Sequence, residues 1–335
     1  VKKMSADFIL SSKGLYTNNT LINLENSDID ADFGMEYSNY LSFRYYIDSV
    51  NMLANIRPTT INIADLGYFA NILFEMPNII GITGKISGPV RNMKSENLKI
   101  KFGADTRISG DISFTGLPVF SSTLMVGNEL SITTNPQDIN KFFLPIDEKH
   151  LDLSNVIPSN EQITFQGNFN GYFEDFSSDI DILTSFGKIK SGVKFKHSPD
   201  NSVSFDVSLT GDTVNIGDFL NQTRALGDIS FNIKVTAVGK SPQKINYVSS
   251  GTLTNVDLLG YNYRRIDFDG NYSYDSATVD LQVGDKNLIM TASAKADLTE
   301  KNIFTVNSNI IRANLNKLNL WYDQNINLSS QLKAK

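Results

Sequence analysis

Ser204-Phe205-Asp206-Val207-Ser208-Leu209 and, 26 residues on, Ser230-Phe231-Asn232-Ile233-Lys234-Val235 decide how this chain folds. Every second residue is apolar and the residues between are polar. Successive side chains of an extended strand point to opposite faces, so each stretch reads as a strand with one apolar and one wet face. The same alternation recurs in Lys99-Ile100-Lys101-Phe102, Asp111-Ile112-Ser113-Phe114, Arg265-Ile266-Asp267-Phe268-Asp269 and Thr278-Val279-Asp280-Leu281-Gln282-Val283. Gly, Asn and Asp punctuate these stretches every 8–12 residues, as in Phe102-Gly103-Ala104-Asp105 and Val283-Gly284-Asp285-Lys286-Asn287, which is the spacing of antiparallel meanders. Long amphipathic helices are missing, which argues against a parallel α/β fold, since that fold needs a helix between strands. A one-sided sheet must cover its apolar face. It can do so with a second sheet, by closing into a barrel, or with an apolar ligand.

Composition removes several kinds of function. The 335 residues contain no cysteine, so thiolate catalysis, disulfides and zinc–cysteine sites are out. Two histidines, His150 and His197, leave little for imidazole chemistry. The net charge of −6 argues against nucleic acid as a partner. No apolar run approaches the length of a membrane-spanning helix. The chain opens Val1-Lys2-Lys3 without a signal-peptide pattern. We expect it to be an internal segment or a processed form, with any anchor or targeting signal outside it.

Four segments break the alternation alike: Ile61 to Phe69, Gln137 to Pro145, Val214 to Leu220 and Ala313 to Leu320. Their shared core is an aliphatic residue, any residue, Asp or Lys, then Leu or Phe. Measured at Ile63, Ile139, Ile216 and Leu315, the spacings are 76, 77 and 99 residues. Each segment reads as a short helical turn that ends a module. A module of this size has room for some five strands, and the last interval for about two more. A second marker, Ile86 to Met93, matches Phe169 to Phe176. The predicted organisation is a partial module over 1–69, modules over 70–145 and 146–222, a module with extra strands over 223–320, and a tail or next module over 321–335. Such repeats stack in one dimension.

The run Ile86-Ser87-Gly88, Asn97 to Thr106 and Ile108 to Pro118 resembles TamB-like proteins of the AsmA superfamily from Gram-negative bacteria. So do Gly167 to Phe176 and Val214 to Leu220. The resemblance covers roughly residues 30–325 and its motifs are structural. It implies an all-β fold, an elongated, curled, antiparallel sheet forming a U-shaped groove (a "β-taco") of stacked modules with short helical connectors. It also implies a non-enzymatic role without cofactor. Phospholipid acyl chains would move along the groove through the periplasm between inner and outer membrane, with a part in outer-membrane biogenesis. The implied partners are an outer-membrane barrel of the TamA/BamA type and an inner-membrane anchor in a missing N-terminal part. The 99-residue interval departs from the regular module.

The candidate groove liners are the apolar members of each alternation: Ile100, Phe102, Ile112, Phe114, Phe205, Val207, Leu209, Phe231, Ile233, Val235, Ile266, Phe268, Val279, Leu281 and Val283. They could equally form the core of an ordinary sandwich, and a cell-surface adhesin or carbohydrate-binding β-sandwich stands as the alternative. An outer-membrane barrel fits less well, because its strands run to about ten residues and these read as shorter. Other chemistry is weakly signalled. The carboxylate sets Asp28/Asp30/Asp32, Asp179/Asp181 and Asp267/Asp269 read as wet strand faces, without a calcium-loop pattern. His150 reads as a surface loop, His197 as part of a hairpin turn, and Trp321 as a packing residue. Phosphate-loop, serine-hydrolase and zinc-protease motifs are absent.

Overall fold

The fold is all-β: the alternating segments form antiparallel strands, and within each of two units strands adjacent in sequence pair with one another. The computed structural model describes residues 2–67, 71–141, 157–158, 161–240, 244–299, 303–322 and 327–334. His150 lies outside them. The chain divides into two compact units, Val1–Ser178 and Asp179–Lys335.

The first unit holds β1 (Lys3–Leu10), β2 (Gly14–Asn23), β3 (Asp28–Glu36), β4 (Asn51–Asn62), β5 (Ile79–Pro89), β6 (Asn92–Phe102), β7 (Thr106–Thr115), β8 (Leu124–Thr134), β9 (Ile163–Tyr172) and the start of β10 (Asp175–Thr184). The second continues with β11 (Gly187–His197), β12 (Val203–Asn215), β13 (Leu226–Gly239), β14 (Ile245–Leu258), β15 (Tyr261–Tyr272), β16 (Ser276–Gly284), β17 (Leu288–Asp297), β18 (Ile303–Asn314) and β19 (Asn327–Ala334). Among the described residues β1 pairs only with β2 and β19 only with β18. The strands are 8 to 14 residues long, so the expectation of strands shorter than those of a barrel is corrected. Several of these long strands are interrupted by bulges, each of which bends its strand and adds to the local right-handed twist.

The bulges recur. Asn19 on β2, Asn97 on β6, Glu129 on β8 and Thr213 on β12 all have φ between 51° and 55°. Each backbone N–H is taken by a side chain of the next strand. The acceptors are Asp32 Oδ1 (2.8 Å), Asp111 Oδ1 (2.8 Å), Asn168 Oδ1 (3.0 Å) and Ser230 Oγ (3.0 Å). An extra residue would otherwise leave a ladder donor unmatched, so the polar acceptor is what makes the bulge tolerable.

The four segments that break the alternation sit after β4, β8, β12 and β18. They are a 3₁₀ turn Ile63–Leu66, helices Pro136–Lys141 and Ile216–Phe219, and a turn at 315–319. An asparagine caps each. Asn62, Asn135, Asn215 and Asn314 accept the N–H of Ala64, Asp138, Asp218 and Lys317. The cap aligns Ile139 with Leu66 and Phe219, so the expected register of the second copy is off by three residues. The true intervals between caps are 73, 80 and 99 residues. Among the described residues, the intervals ending at the second and third caps hold four strands each, against the expected five, and the last holds six.

Each connector also seats on the hairpin turn two strands back. Asp65 accepts Ser27 Oγ (2.5 Å), and Asn215 and Asn314 donate from their N–H groups to the carbonyls of Phe186 and Asn287. Asp138 is buried and accepts from the N–H groups of Ala104, Asp105 and Thr106 and the Thr106 hydroxyl. Burial raises its carboxyl pKa, but these four donors outweigh burial and leave it below the ordinary value. In the second unit Tyr263, Ala313 and Leu318 form a small buried core beside the fourth connector. The second marker is a tight hairpin entry. Gly88 and Gly171 have φ of 113° and 146°, and a side chain at either would strike the facing strand's carbonyl oxygen, at Asn92 or Asp175.

Candidate functional site

Cross-strand partners share a face of the sheet, so the register reads out each face directly. In the second unit one row runs Val193, Val207, Val235, Ser249, Gly270, Val279, Ala294, Val306 from β11 to β18. The next runs Ser191, Leu209, Ile233, Gly251, Phe268, Leu281, Ala292, Ser308, Leu332. A third runs Ile189, Gly211, Phe231, Leu253, Ile266, Val283, Met290, Ile310. On the other side of the first row lie Phe195, Phe205, Ala237, Tyr247, Tyr272, Ala277, Ala296 and Phe304. These four rows carry no charge. The opposite face, between the first two, reads Gly192, Ser208, Lys234, Ser250, Asp269, Asp280, Ser293, Asn307.

The first unit repeats the arrangement. Ile82, Ile100, Ile108, Ile132 and Phe165 form one row, and Ile61, Ile80, Phe102 and Thr106 the next. Ile112 continues through Gly127 to Phe169, while Phe114 lies between Met93 and Met125. On β1 to β5 the same face shows Phe8, Thr17, Phe33, Ala54, Ile86 and, one row on, Leu10, Leu15, Met35, Met52, Gly88.

All eleven expected liners of the second unit therefore fall on one face, and Ile100, Phe102, Ile112 and Phe114 fall on one face of the first. Their exposure differs. Phe231 and Val283 are buried, Phe231 folding its ring over Gly211, so these two are packing residues. Phe205, Val279 and Leu281 are exposed, and the other ten are half-buried. A sandwich core would bury such side chains almost completely.

Periodicity missed much of this face. On β14 and β17 it is built of Tyr247, Ser249, Gly251 and of Ala292, Ala294, Ala296, residues too small or too polar to register as apolar. Elsewhere the bulges reverse the parity. On β6 the face carries Leu98 and Ile100 after Asn97, and Ser95 and Met93 before it. An even–odd count loses the face at that point. The asparagines at positive φ, Asn19 and Asn97, were the available signal, and Glu129 and Thr213 offered none.

The wet face holds the carboxylates. Arg57 bridges Asp30 and Asp32 at 2.6 and 2.7 Å, which holds the Asp32 carboxyl below its ordinary pKa. Lys188 pairs with Asp181, and Thr252 and Arg265 bond Asp267. An open hollow of about 570 Å³ lies here, lined by Asp267, Asp269, Asp280, Gln282 and Asn309 among others. Among the described residues no three acidic or histidine side chains group as a metal site. His197 ends β11 at the hairpin turn, and Trp321 is half exposed, which corrects its reading as a packing residue. Among the described residues no helix is long and apolar enough to cross a membrane.

Compared with protein-family models, with curated proteins and with solved structures, this chain matches none of them.

Proposed function

We propose that this chain is a non-enzymatic lipid carrier whose uncharged sheet face holds phospholipid acyl chains. The observation that carries the reading is the set of charge-free register rows, in which most of the Phe, Ile, Leu and Val side chains are half-buried or exposed. Leaving acyl chains in water costs about 0.8 kcal/mol per CH₂. A face of Phe, Ile, Leu and Val side chains removes that cost without needing a localised site. Uniform rows also favour movement over retention, since no position binds much more tightly than its neighbours. The resemblance to TamB-like proteins extends the proposal to a bridge-like segment in the Gram-negative periplasm, serving outer-membrane biogenesis between an inner-membrane anchor and an outer-membrane barrel. The test is native purification followed by lipid extraction and mass spectrometry. Phospholipid recovered in stoichiometric amount supports the proposal, and a lipid-free protein that also takes up no added phospholipid refutes it.

A further inference from the structure

In the first unit, the turns at one end of the sheet are stitched into a ledge. Between β3 and β4 the chain makes a 3₁₀ helix, Tyr40–Tyr45, and one helical turn, Tyr46–Ser49. The Arg91 N–H donates to the Ile47 carbonyl (3.0 Å), and the Gly116 N–H to the Arg91 carbonyl (2.8 Å). Three successive turns are thereby tied edge to edge. The next ring contact extends the ledge, since Phe120 stands 6.0 Å from Phe173.

The ledge is apolar outward. Leu41 is 76% exposed, Tyr45 66% and Tyr40 60%. Tyr40 is held from within, because Tyr37 is buried with its ring 5.6 Å from Tyr40 and 4.9 Å from Phe43. The carboxylate of this segment, Asp48, is neutralised by Arg91. Exposed Tyr40, Tyr45 and Leu41 on one short helix with Arg44 match the side chains that settle at a membrane–water interface. The ledge is also continuous with the apolar face, as the Tyr46 hydroxyl lies 3.0 Å from Met52 Sδ.

We propose that this ledge docks the first unit on the interface of a lipid bilayer, so that the apolar face begins where the bilayer ends. The choice of a lipid partner rests on the acyl-carrier reading, but the surface is separate from the carrier face. The experiment is flotation of the full chain with phosphatidylcholine vesicles, in low and high salt. We expect binding that survives high salt. The triple variant Tyr40→Ser, Leu41→Ser, Tyr45→Ser should lower the bound fraction at least roughly tenfold, given what burying one such side chain contributes. Val238→Ser, at an exposed position of the second unit, should leave binding unchanged. Tyr45→Trp in a Trp321→Phe background gives a second readout that needs no destabilising change, and its emission should shift to the blue on adding vesicles. Wild-type protein that does not float, a triple variant that floats equally, or unshifted emission from the Tyr45→Trp variant would each overturn the proposal. Uptake of a fluorescent fatty acid without vesicles is measured alongside. Its loss in wild type counts against the acyl carrier, while loss of flotation alone counts against the ledge.

Discussion

Phe195 and Phe205 face each other across β11 and β12 with ring centroids 5.0 Å apart, on the sheet face that also carries Val193 and Val207. Phe205 nevertheless keeps 38% of its surface exposed. A residue that touches its neighbour and still meets solvent is a surface liner, and its replacement separates folding from binding.

Phe205→Asp and Ile233→Asp should therefore cut uptake of a fluorescent acyl probe at least roughly tenfold, because a carboxylate among acyl chains is strongly disfavoured. The thermal midpoint of Phe205→Asp should fall by no more than a few degrees. Lys234→Asp, on the opposite face, should leave uptake unchanged. Unfolding of both face variants would mean that these side chains form a sealed core.

Leu318 is fully buried against Tyr263 and Ala313. Leu318→Ala should cost about 2–5 kcal/mol in the second unit, read from denaturant midpoints, as for other fully buried leucines. Acyl-probe uptake by the folded fraction should persist.

Acid should loosen the second connector, at Asp138, and the β16–β17 turn, at Asp285. Asp138 and Asp285 are buried, and for each the donors they accept from outweigh burial and leave the carboxyl below its ordinary pKa. For Asp285 those donors are the Tyr261 hydroxyl (2.6 Å) and the N–H groups of Asn287 and Arg264. A carboxyl lowered in the folded chain binds its proton more readily once unfolded. Its stabilisation is present above about pH 4 and is lost as pH falls through the folded value. Asp138→Asn should cost about 1–3 kcal/mol at pH 7 and progressively less in acid. Parallel denaturation curves across pH check this, and equal losses at pH 7 and in acid would contradict it.

Glu129 occupies the left-handed region at φ 51° with an exposed side chain. Glu129→Gly should stabilise the first unit by about 0.5–1 kcal/mol, and Glu129→Val should destabilise it, as read by denaturant midpoints. If both destabilise, the Glu129 side chain contributes something beyond the bulge.

Alternation made the fold class legible, because strands such as Ser230–Val235 run straight through their pattern. The expected liners came from such uninterrupted stretches. What escaped had physical causes. Asn97, Glu129 and Thr213 insert a residue and reverse the parity. Gly251, Gly270 and the alanines of β17 face the apolar side without looking apolar. The second connector was misaligned because Pro136 stands where the others have Ile63, Ile216 and Leu315, so the capping role of Asn135 was hidden. The ledge around Tyr40 and Leu41 had no periodicity to reveal it, since its coherence comes from bonds between turns far apart in sequence.

The central claim is that acyl chains lie on the charge-free face. Its most direct test is photo-crosslinking with a phospholipid carrying a diazirine in its acyl chain, followed by peptide mapping. The account predicts adducts at Phe205, Val207, Ile233, Phe268 and Leu281 in the second unit and at Ile100, Ile112 and Phe114 in the first. Adducts concentrated instead at Lys234, Thr236, Asp269 or Asn307, or spread equally over both faces, would contradict it.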